Sequence, residues 1–257
     1  MKDYFSEIKR ILDTTEVLDW NSLAEFRIDE IFYFFQYPDH FKEYYGETRW
    51  NIFEKVYLDK KIKGPMNVPI RWKHLLTEHI AGKRVLDLGS SVGAEIYYIM
   101  KNLFPKYLLG VEHSLVAVQL ARLGLEMHRI HNADILNWDL IKGIDYFPTS
   151  FGRFDTTILA GSIFSFTIKE HFDLFQKYME NLCKFVNDIT DKYFYFIGLD
   201  KYHYGIIRKV FRNKDICTFC TKRSRLVREY KRTNNDYSLI EYNLDRKRDE
   251  FYGYVKL

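Results

Sequence analysis

No run of the sequence approaches the roughly 20 consecutive apolar residues that a helix needs to cross a bilayer, which excludes a helical membrane span. The opening residues carry the acids Asp3 and Glu7 where a secretory signal has a basic and then an apolar segment, so the expected location is the cytoplasm. Cysteine is scarce, at three residues in 257. Cys217 and Cys220 form a lone CxxC and Cys183 stands apart, so a structural zinc site lacks its second ligand pair, and all three are expected to be free thiols. Low-complexity linkers and internal repeats are absent. So is any obvious triad of acids for a divalent metal, and no metal site is expected.

What is present is ordinary in amount and uneven in placement. Hydrophobic residues at 47% and charged residues at 29% are those of a globular protein. At this length the chain can form one α/β domain with an added cap. Aromatics reach 18%, but they fill cores and line pockets alike, so they do not separate one function from another. The net charge of +4 is concentrated. Lys222, Arg223, Arg225, Arg228, Lys231 and Arg232 lie within eleven residues beside one acid, Glu229, and exceed the net charge of the whole chain.

Residues 1–80 read as a helical cap: Phe5, Ile8 and Leu12 recur at helical spacing, as do Trp50, Phe53 and Tyr57. The texture changes at Gly82. Arg84 to Leu88 is a short apolar run ending in glycine, as a buried parallel strand does, and a helical pattern follows from Val92 to Leu103. Further strands are expected at 107–111, 128–133, 156–160 and 193–198. Helices are expected after Ser114, a good N-cap, and across Ile168 to Val186. Alternating strands and helices predict a doubly wound, mostly parallel, Rossmann-like α/β sheet over 81–257. A carboxyl-terminal β-hairpin is expected from Arg225–Lys231 and Ser238–Leu244.

In such a sheet the ligand lies beyond the carboxyl ends of the strands. The first end reads Asp87-Leu88-Gly89-Ser90-Ser91-Val92-Gly93, a small-residue loop that lets backbone approach a ligand. The second supplies Glu112, placed to accept hydrogen bonds from a ribose. The third expected end supplies Asp134, placed to read an adenine edge. Each acid alone is weak evidence, because strand-end carboxylates are common. The ordered set of loop, acid and acid is more specific.

With those residues in place, the segment from Lys83 to about Ala160 resembles the cofactor-binding half of class I S-adenosylmethionine (SAM)-dependent methyltransferases. Their acid-x-Gly-x-Gly-x-Gly motif is matched by Asp87, Gly89 and Gly93, with Ser91 in place of the middle glycine. The resemblance implies SAM as cofactor. Gly89, Ser91 and Gly93 would pass beneath its methionine and sugar, Asp87 would serve the loop or the amino-acid end, Glu112 the ribose and Asp134 the adenine. In the family an amino-terminal segment often closes over the cofactor, which makes Tyr45 and Arg49 candidates for its carboxylate. A nicotinamide-binding domain would place GxGxxG on Gly89, Ser91 and Ala94, where the Ser91 side chain obstructs a pyrophosphate.

Methyl transfer needs alignment, exclusion of water and at most one base. His171 and His203 are the candidate bases, because an imidazole titrates near neutrality. The expected acceptor is a small polar metabolite, a sugar or a phosphorylated intermediate, methylated at oxygen rather than nitrogen and enclosed by the cap. RNA is the alternative, raised by the basic hairpin, although strand alternation puts its charges on both faces, which suits a solvated edge that discourages strand pairing better than a focused nucleic-acid stripe. A binding module that keeps the fold without catalysis is the third reading, with Ser91 as its argument.

Overall fold

The computed structural model describes residues 6–7, 10–11, 24–28, 31–35, 75–140, 146–160, 172–199, 201–233 and 236–257. Near the amino terminus β1 (Ala24–Ile28) and β2 (Ile31–Phe35) form an antiparallel hairpin, and β1 runs close to the helix Phe172–Ile189. Phe26 to Phe35 lies within the segment read as a helical cap. Its five aromatics crowd a ten-residue stretch without helical spacing, and the chain resolves it as strands.

The body is one seven-stranded sheet. Its strands are β3 (Arg84–Leu88), β4 (Tyr107–Glu112), β5 (Ala133–Asn137), β6 (Phe154–Ala160), β7 (Thr190–Leu199), β8 (Asp215–Thr233) and β9 (Asp236–Lys256). Their spatial order is β5-β4-β3-β6-β7-β9-β8. The first five strands are parallel, and β9 enters antiparallel between β7 and β8. The order reverses at β3, so the crevice between β3-β4 and β6 is the switch point where ligands bind in such sheets.

The helices are α1 (Thr77–Ile80), α2 (Ala94–Asn102), α3 (Leu115–Met127), α4 (Phe172–Ile189) and α5 (Lys201–Val210). Strand alternation divides the core into two layers. Val85, Leu108, Ile158 and Ile197 pack with Ile80 of α1, Ile96 and Ile99 of α2, and Val118 and Ala121 of α3. Leu86, Leu109, Leu159, Phe194 and Phe196 pack with Met179 and Leu182 of α4 and Ile206 and Ile207 of α5. Most of these are fully buried, and each contributes about 1.5–3 kcal/mol of transfer free energy. The doubly wound sheet is therefore as expected. Among the described residues no helix is long and apolar enough to cross a membrane.

One buried polar pair joins β6 to β7. The hydroxyls of Thr157 on β6 and Thr190 on β7 meet at 2.6 Å, both buried. Thr157→Val should leave the Thr190 hydroxyl without that partner and lower stability by about 1 kcal/mol, read as a shift in the urea midpoint at unchanged slope.

Two boundaries differ from the sequence reading. The third strand of the sheet, expected at 128–133, starts where it was expected to end. The N–H groups of Arg129 and Ile130 turn back to Glu126 and Leu125 of α3, with Arg129 at φ 54°, so these residues close the helix and cannot enter a ladder. The terminal hairpin is also far longer than the seven-residue strands expected. Of the cysteines, Cys183 is buried, which pushes its thiol up to about 12, and Cys217 and Cys220 lie on β8; all three are free.

Candidate active site

The loop leaving β3 turns into α2 through three left-handed residues, Gly89 at φ 80°, Ser91 at φ 50° and Gly93 at φ 77°. Glycine meets this requirement without cost at two of them; Ser91 meets it as an L-residue held by its neighbours. Its N–H donates to Glu112 Oε2 at 2.9 Å. The other carboxylate oxygen, Oε1, accepts from Ser114 N–H at 2.9 Å and lies 2.9 Å from His113 Nδ1. Glu112 at the end of β4 thus ties the β3–α2 loop to the start of α3. Ser114 is the N-cap the sequence suggested, its hydroxyl accepting from Ala117 N–H.

Two residues that complete this frame went unnoticed in the sequence. Ser90 is fully buried; its hydroxyl donates to the Asp87 carbonyl and accepts from Val111 N–H, both at 2.9 Å, riveting the loop to β3 and β4. Gly110 pairs with Asp87 in the ladder, and a Cβ there would stand 2.5 Å from both Ser90 Oγ and Ile96 Cδ1. A glycine inside an apolar strand is the signal for such a close approach.

Asp87 is the unusual member. It is 1% exposed, on the same sheet face as α2, and neither carboxylate oxygen has a hydrogen-bond partner among the described residues. Burial, then the negative charges of Glu95 on α2 and Glu112, push its carboxyl well above the usual carboxylate range; the nearby Ser90 hydroxyl opposes them weakly. A positive charge brought beside it would reverse that shift by favouring the carboxylate.

The structure does not bring Asp134 to this frame. Because the strand begins at Ala133, Asp134 stands opposite Leu109 near the far end, where it accepts from its own strand's Ile135 N–H and from Arg122 of α3. The residue opposite Glu112 is Asn137, whose amide donates to the carbonyls of Glu112 and His113, with Trp138 and Asp139 next in the chain. Asp134 thus lies three residues before the end of its strand, and Asn137 stands beside the end of β4. His203 sits in the first turn of α5, buried, edge-on to Tyr202, in the layer opposite α2 and α3. Tyr45, Arg49 and His171 lie outside the described residues.

No family model and no curated protein matches the sequence. Solved structures do match. Magnesium protoporphyrin IX methyltransferase from Synechocystis PCC 6803 with bound SAM superposes with a TM-score of 0.51 at 14% identity, covering 85% of this chain and 96% of that one. Precorrin 8w decarboxylase from Methanobacterium thermoautotrophicum gives 0.50 at 10% identity, over 79% and 98%. The fold is that of the class I methyltransferases. TrmN from Thermus thermophilus shares it with a TM-score of 0.51 at 11% identity over 80% of this chain, which spans about half (52%) of the length of TrmN. At these identities the class I likeness is one of architecture, and the site itself must carry the functional reading.

Proposed function

We propose that the chain is a SAM-dependent methyltransferase. The observation that carries this reading is the buried, unpartnered Asp87 carboxyl beside a left-handed glycine loop that Glu112 fastens at the switch point. The residues fit SAM. Asp87 would meet the cationic amino-acid end, and Gly89, Ser91 and Gly93 would pass beneath the methionine and sugar. Glu112, at the end of β4, would hold the ribose hydroxyls. Adenine would lie beside Trp138 and Asp139. When bound, SAM supplies an electrophilic methyl group on a sulfonium; the chain's own part is to fix that group and exclude water. His203, and His171 immediately before α4 in sequence, are the proposed bases. Tyr45 and Arg49 are proposed to close over the cofactor carboxylate.

Two acceptor classes remain proposals. A small polar metabolite, a sugar or phosphorylated intermediate methylated on oxygen, fits a site enclosed by an amino-terminal lid. RNA is the second reading. It is supported by β8 and β9, which do not end at the sheet edge but continue together to Thr233 and Asp236.

Calorimetric titration with SAM and with S-adenosylhomocysteine tests the cofactor assignment, with NADH as control. Micromolar binding of both sulfur ligands and none of NADH is expected. Absence of binding by folded protein would overturn the proposal, and binding without turnover on any acceptor would favour the non-catalytic module.

A further inference from the structure

The pairing of β9 with β7 stops at Phe251 opposite Leu199, the carboxyl end of β7. Beyond that edge β8 and β9 pair only with each other, from Thr221↔Glu250 to Thr233↔Asp236. At about 3.3 Å per residue this two-stranded ribbon reaches roughly 40 Å past the sheet, on the side where the candidate cofactor loop lies. Strands in a sheet stand about 4.8 Å apart, so β9 emerges roughly 14 Å from β3, three strands away.

The register gathers charges that the sequence keeps apart. Arg223 stands opposite Arg248 and Ser224 opposite Lys247; the register then jumps, Arg225 pairing with Leu244, so that Asp245 and Arg246 are extra residues on β9. Lys222, Arg223, Arg225, Arg246, Lys247 and Arg248 therefore share one short stretch at the base of the ribbon, next to the carboxyl edge, with two acids among them, Asp245 and Asp249, the latter opposite Lys222; Arg223 and Arg248 fall on one face and Ser224 and Lys247 on the other. Like charges directly opposite each other weaken a strand pair, so a cross-strand Arg–Arg pair beside Ser–Lys is a poor way to close a hairpin. It becomes favourable when a polyanion lies across it. Farther out, one face carries Arg228, Tyr230 and Arg232 along β8, with Leu239 and Tyr237 at the register positions opposite the last two. Alternating cations and aromatics are the composition that holds single-stranded nucleic acid, by charge and by stacking.

We infer that the base of the β8–β9 ribbon binds the phosphates of an RNA strand and delivers that strand to the methyl-transfer site. The inference rests on the methyltransferase reading only in calling the strand an acceptor. Cations spread along this stretch can meet several consecutive phosphates, which a single phosphorylated metabolite does not offer.

The test uses the full chain and a fluorescently labelled 20-nucleotide single-stranded RNA, with anisotropy followed from 0.05 to 0.3 M NaCl. If all six cations engage, the slope of log affinity against log salt is about −4; R223S/K247S/R248S should bring it to about −2 and weaken binding about 100-fold at 0.1 M salt. A control lacking three exposed cations elsewhere, Lys106→Ser, Lys177→Ser and Arg212→Ser, should bind as the parent does. The circular dichroism of each variant establishes that it is folded. Equal loss in the control and ribbon variants would overturn the inference, as would full displacement by inorganic phosphate at matched ionic strength or equal affinity for phosphatidylserine vesicles. SAM titration of the same ribbon variant separates the two claims. Retained SAM binding with lost RNA binding supports both, whereas salt-dependent RNA binding by a parent chain that ignores SAM sinks the methyltransferase reading alone.

Discussion

Glu112→Ala should weaken SAM binding about 100-fold or more in calorimetric titration. The effect is large because this carboxylate has two functions. It is the proposed ribose acceptor, and hydrogen bonds to charged groups are worth about 1.5–3 kcal/mol. It also holds Ser91 N–H and Ser114 N–H, each at 2.9 Å. Without it Ser91 loses what keeps an L-residue at φ 50°, and the loop that must pass beneath the cofactor is free to relax. Glu112→Gln should fall between parent and alanine, because one amide oxygen can still accept from one of the two N–H groups while the NH2 faces the other. Parent-like affinity in the alanine variant would remove Glu112 from the cofactor site.

Asp87→Asn should move binding and stability in opposite directions. The folded carboxyl keeps its proton to a higher pH than the unfolded one, whose value is about 3.9. The folded state therefore binds more protons across that interval, and the parent loses stability as pH rises from about 4 through the folded value. The asparagine variant stays neutral throughout. Its stability relative to the parent should grow with pH in urea denaturation, because only the parent has a buried group to ionise. SAM affinity should drop at least tenfold in the same protein, since the amide cannot balance a cation. Equal pH dependence in parent and variant would show that Asp87 is not the titrating group.

Much of the sheet was legible in the sequence because buried parallel strands are short apolar runs closed by glycine or an acid. Arg84–Leu88 and Tyr107–Glu112 announce themselves in that way, and so do the small-residue loop after Asp87 and the strand-end acid Glu112. Residues 128–137 were harder. Whether His128 to Asn132 ends a helix or begins a strand is settled by the return hydrogen bonds of Arg129 and Ile130 to α3, and no residue type there encodes that choice. That single shift moves Asp134 from beyond the end of a strand to the second residue of one, opposite Leu109. Ser90 was invisible for a different reason. Its value lies in bridging β3 and β4, a contact between segments 21 residues apart that no local pattern reveals. The ribbon lay partly in view, as a run of cations with a turn. Its second basic half became meaningful only through the register that sets Arg248 against Arg223.

The position of β9 has a consequence for biosynthesis. β8 precedes β9 in the chain, yet β9 occupies the place between β7 and β8. As the polypeptide emerges from the ribosome, β8 has no berth in the sheet: its only partner is a strand not yet made, and the outer edge of β7 stays open until that strand arrives. The two strands must therefore zip into a hairpin and dock as a unit. A chain cut off after residue 233 would hold an open β7 edge and a basic strand without its partner, available to whatever polyanion is at hand.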